Sequence, residues 1–195
     1  AHRLLEAGAA SRLADKHGRT PLHLACVGSS AECVRELLGR DAEALRDVDG
    51  DRWSCVHYAA RCNNAEVLQM LLDGRADPNL ADNDGWTPLH NCARNGQRRC
   101  VEALLVFKAD LLKTNRHRET PLHVACRCSK AKVIADLLDA AAREQVSGEL
   151  VRMRDFRDYT PSMACSGEDV RTAFEQKLAS LGSQDQAEMR KSVSL

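Results

Sequence analysis

The sequence predicts an all-α fold of stacked helix pairs, and three observations carry that prediction: a tetrapeptide recurring at a fixed period, prolines confined to one slot of that period, and an apolar stripe at a constant offset. Thr-Pro-Leu-His occurs at Thr20–His23, Thr87–His90 and Thr120–His123, with degenerate copies at Ser54–His57 and Thr160–Met163. The successive Thr or Ser positions lie 34, 33, 33 and 40 residues apart. A period near 33 marks an array of supersecondary units, each too small to bury its own apolar face, so neighbours must stack. Such arrays turn the functional question from chemistry toward partner binding.

Each block opens a short helix. Thr or Ser caps the free amides of the first turn, and Pro sits at the first helical position, where its missing donor is harmless. Four of the five prolines, Pro21, Pro88, Pro121 and Pro161, occupy that slot, and Pro78 lies in the connecting segment Ala76–Asn79. Nine residues after Thr or Ser comes a turn position held by Ser29, Asn63, Gly96 and Ser129; of these, Gly and Asn best tolerate a left-handed conformation. A second helix follows. Its apolar marks are Val34, Leu68, Val101 and Ile134, joined three and four residues on by Leu37-Leu38, Leu71-Leu72, Leu104-Leu105 and Leu137-Leu138. That spacing makes one stripe per helix, which the adjacent repeat has to cover.

The 195 residues, 44% hydrophobic and 29% charged, belong among globular chains with a sizeable core. Lys plus Arg equal Asp plus Glu at 28 each, so no global field selects nucleic acid or an anionic membrane, and charge preference must be local. Apolar runs are too short to span a bilayer. No secretory signal is visible, but the chain does not open on Met, and an upstream segment is expected. Nine Cys without disulfide-framework spacing, and no Asn-x-Ser/Thr sequon, point to a reducing, intracellular and cytoplasmic setting. Cys126-x-Cys128 is the closest approach to a metal spacing. Cys26, Cys92, Cys126 and Cys165 fall on helix positions where Cys packs as an enlarged Ala, so neither metal nor cofactor is expected.

Thr20–Ala25 and Thr120–Ala125 read Thr-Pro-Leu-His-x-Ala, and Thr87–Cys92 nearly does. On these residues the chain resembles the ankyrin-repeat family. The resemblance implies an ankyrin-repeat solenoid, helix pairs joined by β-hairpin-like loops, and it covers most of the chain. Residues 1–14 are read as the remnant of an upstream repeat, because Leu4-Leu5-Glu6-Ala7-Gly8-Ala9 looks like the end of a second helix with its glycine cap. Residues 15–181 hold about four full repeats and a degenerate capping repeat, in which Ser162-Met163 replaces Leu-His while Phe174 and Leu178 hold the stripe. Residues 182–195 form a polar tail, expected to be mobile or to continue as helix. In it, Arg190-Lys191-x-x-Ser194 matches a basophilic kinase pattern and Val193-Ser194-Leu195 a terminal ligand, both short enough to arise by accident.

Several positions depart from the family pattern. The glycine two residues before Thr survives as Gly18 and Gly85 but is replaced by Arg52, Arg118 and Asp158, and the helix-ending Gly is Arg75 or Lys108. Positive φ without Gly costs roughly 1 kcal/mol each, so distorted or mobile hairpins are expected there. About seven extra residues between Leu138 and Thr160 read as a lengthened helix and an enlarged loop.

The resemblance makes His23, His57, His90 and His123 structural, bonding backbone groups of adjoining hairpins. His17 and His117 sit three residues before their Thr, at hairpin tips where family members commonly touch partners; the plain alternative is solvated surface His. No Gly-rich phosphate loop, His-Glu-x-x-His, Gly-x-Ser-x-Gly or metal-spaced carboxylate set occurs, so no enzyme is expected. The competing class is a Cys-His pair using Cys62 or Cys128, for which no orienting third residue is identifiable.

Arg61, Arg94 and Arg127 all stand seven residues after their Ser or Thr. Stacking puts them in a row, and the resemblance places that slot on the concave groove. One residue before each Thr or Ser come Arg19, Trp53, Trp86, Glu119 and Tyr159. Trp, Tyr and Arg dominate binding hot spots, and the Arg fork bonds two oxygens of a carboxylate or phosphate. Against this, Asp51, Asp82 and Asp84 are placed to neutralise part of the row. The sequence therefore reads as a monomeric protein-recognition module that takes an acidic or phosphorylated protein segment on Arg19, Trp53, Trp86, Tyr159, Arg61, Arg94 and Arg127 with the tips His17 and His117, without nucleic acid, membrane or cofactor. The alternative is a regulatory or targeting domain of a larger enzyme or membrane protein.

Overall fold

A computed structural model describes residues 12–28 and 30–192, with 183–192 described by backbone alone. The expected remnant helix at Leu4–Ala9, the turn residue Ser29 and the patterns ending at Ser194 and Leu195 lie outside the described residues. Among the described residues there are ten α-helices and no strand, with one isolated antiparallel bridge between Val48 and Ser54. In chain order the first eight are α1 (Pro21–Val27), α2 (Ala31–Arg40), α3 (Cys55–Arg61), α4 (Ala65–Asp73), α5 (Pro88–Asn95), α6 (Arg98–Val106), α7 (Pro121–Arg127) and α8 (Ala131–Arg143), and α1 packs on α2, α3 on α4 and α7 on α8. A one-turn α9 (Ser147–Leu150) and a long α10 (Glu168–Ser192) follow. Two compact units divide the chain: the described residues to Cys92 with Arg99–Asp110, and Ala93–Arg98 with the described residues from Leu111.

Each first helix is set by the side chains at its entrance. The Thr20 N–H donates to His23 Nδ1 at 3.1 Å and the Thr20 hydroxyl meets the same nitrogen at 2.9 Å. Ser54–His57, Thr87–His90 and Thr120–His123 repeat the arrangement, with amide distances of 3.2 Å throughout. Cys55 stands in the proline slot of α3 without loss of the helix, because the Ser54–His57 cap satisfies the first-turn donors. After the first helices, Asn63, Gly96 and Ser129 take φ of 55°, 77° and 55°, the turns expected from register. Ser30 and Asn64 then cap the second helices, accepting the Cys33 and Val67 amides at 3.3 and 3.1 Å.

The stripes are buried as the spacing requires. In the first unit Val34, Leu68, Leu71, Val101 and Leu104 are fully excluded from solvent; in the second, Leu137, Leu138, Leu150 and Phe174 are excluded or nearly so. Burying each such side chain stabilises by about 1.5–3 kcal/mol, so a few of them outweigh several strained turn residues.

The hairpins correct one expectation. Gly18, Arg52, Gly85, Arg118 and Asp158 all adopt positive φ, between 55° and 80°, and each closes the same turn by donating its N–H to the carbonyl three residues earlier, at 2.8–3.1 Å. The distortion expected where Arg or Asp replaces Gly is absent. A side chain holds these turns: Oδ1 of Asp15, Asp49, Asp82, Asn115 and Asp155 each accepts backbone N–H groups from two and four residues on, at 2.8–3.0 Å. Hydrogen bonds to the charged acceptors Asp15, Asp49, Asp82 and Asp155 stabilise by about 1.5–3 kcal/mol, and those to the neutral Asn115 by about 0.5–1.5 kcal/mol each, which offsets what the left-handed conformation costs.

The fifth block also departs. Thr160-Pro161 opens a turn rather than a helix, since no His follows three residues later to complete the cap; Thr160 Oγ1 meets Ser162 Oγ at 3.3 Å instead. The insertion lengthens α8 to 13 residues, turns at Gln145 with φ 61°, and spends part of the expected loop on α9, which anchors Leu150 in the core. Phe174 and Leu181 of α10 are buried, Leu178 half-buried, and the α10 backbone remains helical to Ser192.

Candidate functional site

The capping histidines also place the residues that precede each block. His23 Nε2 bonds the Trp53 carbonyl at 3.2 Å, His57 Nε2 the Trp86 carbonyl at 3.0 Å, and His123 Nε2 the Tyr159 carbonyl at 3.1 Å. Because Nδ1 accepts an amide N–H, the bond network assigns the proton to Nε2, the neutral tautomer. Burial pushes the imidazoles of His23, His57 and His123 down from their ordinary value, with the carbonyl bonds and nearby carboxylates pulling the other way. Each aromatic residue is thereby fixed by its backbone to the preceding repeat, with its ring half-buried or, at Tyr159, exposed.

In the first unit, Trp53 and Arg61 come together. The Arg61 guanidinium lies 5.6 Å from the Trp53 ring centroid, Trp53 Nε1 donates to Asp82 Oδ2 at 3.0 Å, and Tyr58 meets the indole edge-on at 5.5 Å. Tyr58 donates its hydroxyl to Asp49 Oδ2 at 2.6 Å; burial, followed by that bond, pushes the phenol up. Trp86 packs on His90 at 5.8 Å. Arg19 turns back to Asp15 through contacts of 2.9 and 2.7 Å, which draw the Asp15 carboxyl down to about 2. His17 is exposed at its tip, where its carbonyl accepts the Gly50 N–H at 2.9 Å. It borders a shallow cleft of about 540 Å³ lined by Lys16, Arg19, Asp49, Asp51 and Tyr58, a wall of mixed sign.

In the second unit, Arg94 is exposed in the last turn of α5. Arg127 forks onto Glu119 at 2.8 and 3.2 Å, and Glu119, only 4% exposed, also accepts Asn115 Nδ2 at 3.0 Å. Burial alone would raise that carboxyl; the Arg127 and Asn115 bonds outweigh it and hold Glu119 below its usual range. Arg127 is thus engaged internally by a residue the sequence places in the hot-spot slot. At the tip, the His117 carbonyl accepts the Phe156 N–H at 2.9 Å and the two rings lie 5.2 Å apart. Arg157 lies over both Phe156 and Tyr159.

Sequence reasoning missed Phe156, Arg157 and the Asp/Asn turn series. Arg157 and the turn series had a register signal: Arg157 stands three residues before Thr160, the slot of His17 and His117, and an Asp or Asn stands five residues before every block. Of the competing thiols, Cys128 is half-buried and Cys62 exposed; burial of its sulfur pushes the Cys62 thiol up, with Arg61 opposing, which disfavours the nucleophilic thiolate. Among the described residues no helix is long and apolar enough to cross a membrane, and no group of three His, Cys, Asp or Glu is placed to hold a metal ion.

A family model described as ankyrin repeats (3 copies) matches residues 1–82 and 56–147. The human B-cell lymphoma 3 protein is 35% identical over 82 residues, 40% of this chain and 18% of that protein. The Drosophila melanogaster NF-kappa-B inhibitor cactus is 32% identical over 108 residues, covering 39% and 21%. The human NF-kappa-B inhibitor epsilon is 34% identical over 79 residues, covering 36% and 16%. The chain thus spans about a fifth of the length of these relatives.

Proposed function

Because this chain belongs to the ankyrin-repeat family, whose repeats are protein-interaction modules, we propose that it recognises an acidic or phosphorylated segment of a protein partner through its first-helix ends and hairpin tips. The observation that carries this reading is the Trp53–Arg61 pair. His23 holds the Trp53 backbone, Asp82 holds its indole nitrogen, and Arg61 covers its face, so little side-chain freedom remains to be lost on binding. A fixed aromatic beside a guanidinium fits a partner residue carrying a carboxylate or phosphate. Arg94, exposed in the equivalent register slot, extends the same chemistry; Arg127 joins only where a ligand anion competes with Glu119. Trp86, Arg19, Tyr159, His17 and His117 complete the contact set.

The test is affinity capture with the whole chain, repeated after Trp53→Ala, Trp86→Ala and Arg94→Ala. Loss of the same captured proteins in all three variants is expected, and an unchanged set refutes the assignment. NF-kappa-B proteins, which two relatives are named for inhibiting, are the first partners to assay directly.

A further inference from the structure

Resting on that recognition reading, we propose that the hairpin tip carrying His117, Phe156, Arg157 and Tyr159 is an anchoring site for an acidic protein segment that also bears an apolar side chain. Phe156 is 58% exposed, Tyr159 44% and Met163 54%, three large apolar groups within eight residues of chain where isolated exposure would call for no explanation. Two of the rings are immobilised. The Arg157 guanidinium lies 5.3 Å from the Phe156 centroid and 5.1 Å from that of Tyr159, and its own nitrogens are held by Asp155 at 2.9 and 3.1 Å. Asp155 is fully buried and also accepts the Arg157 and Tyr159 amides at 2.8 and 3.0 Å. Burial would raise this carboxyl, but the amides and the guanidinium hold it below its ordinary value, so the clamp is ionised at neutral pH. His117 closes the other side of Phe156 through the ring contact and the amide bond already described. An exposed aromatic pair held this rigidly is the form that binding hot spots take, because its ordering precedes association.

Charge selects the ligand. Residues 115–119 and 151–160 contain five arginines against three carboxylates, and all three carboxylates are engaged: Glu119 by Arg127, Asp155 by Arg157 and Asp158 by Arg154 at 3.1 Å. Arg118 and Arg152, both exposed, leave the tip with excess positive charge, which attracts a segment rich in Asp or Glu while the rings take its apolar residue. Aromatics beside arginine also suit single-stranded nucleic acid. A peptide is favoured because Arg157 is already neutralised by Asp155 and the tip offers two rings on one loop rather than a succession along a track.

The experiment is fluorescence anisotropy on the whole chain with short fluorescein-labelled peptides of Asp and Glu around one central Phe, compared with the same peptides carrying Ser at the centre, with Lys-rich versions and with an oligothymidylate. Saturable binding of the acidic Phe peptide is expected, weakened roughly tenfold or more by Phe156→Ala and by Arg118→Glu with Arg152→Glu. Circular dichroism checks that these exposed substitutions leave the helices intact. The proposal is overturned by absence of saturation up to about 1 mM peptide, by unchanged affinity in Phe156→Ala, or by preference for the oligonucleotide. Weakening in Trp53→Ala but not in Phe156→Ala overturns this anchor and leaves the recognition reading standing; unchanged protein capture in the Trp53 variant overturns that reading instead.

Discussion

His57→Ala tests the physical basis of the array most directly. The imidazole is fully buried, takes the Ser54 amide and hydroxyl at 3.2 and 2.9 Å, and donates to the Trp86 carbonyl at 3.0 Å. Alanine leaves the Ser54 N–H and the Trp86 carbonyl without their partner, at about 1–3 kcal/mol each, and opens a ring-sized void that adds to the loss. The expected destabilisation is about 3–5 kcal/mol, a shift of roughly 2 M in a urea midpoint at a typical slope. Equilibrium unfolding followed by circular dichroism measures it, with exposed His17→Ala as the control expected within about 0.5 kcal/mol of the parent. A second arm uses pH. Burial lowers the folded-state pKa of His23, His57 and His123, so the unfolded chain binds these protons first. The stability contributed by neutral imidazole is complete above about pH 6.5 and is lost as pH falls below it, by up to about 1.4 kcal/mol per pH unit for each His. The added proton lands on Nδ1, facing an amide donor that cannot turn away. His57→Ala should make the acid limb shallower by one group. A loss below about 1 kcal/mol at neutral pH, or a flat parent profile from pH 7 to 5, refutes the brace.

Two further outcomes follow from named contacts. Arg127→Ala should destabilise by about 2–4 kcal/mol because Glu119 is left buried and uncompensated, whereas Arg127→Ala with Glu119→Ala should cost less than the sum of the single changes; additive costs in a urea double-mutant cycle would show that the pair is merely solvated. Gly18→Ala should cost about 2 kcal/mol or more, since φ is +80° and the new Cβ would lie 2.8 Å from the Gly50 nitrogen, while Arg75→Gly, relieving φ of 68°, should gain about 0.5–1 kcal/mol; thermal unfolding that ranks the two alike contradicts the turn argument.

The periodic features of this protein could be read from its residues without coordinates. Thr or Ser, Pro, His and the Leu pairs act over one or two turns of their own helix, so their spacing already states which groups bond and which face is apolar. The positive-φ turns at Asn63, Gly96 and Ser129 followed from register for the same reason. The rest is set by long-range packing, where one repeat meets the next or where side chains choose between partners. Arg61 settles on an indole while Arg127, in the same slot, turns to Glu119, because their neighbours differ and not their positions. The hairpins with Arg in place of Gly keep their shape because an Asp or Asn five residues before each block collects two amides, a cooperation that single-residue preference does not contain. Arg157 clamps two exposed rings only because a buried Asp155 holds it from below. Short-range bonding is written in the order of the residues; the choice among competing long-range contacts is made by packing, through which side chains the fold brings within a few ångströms of one another.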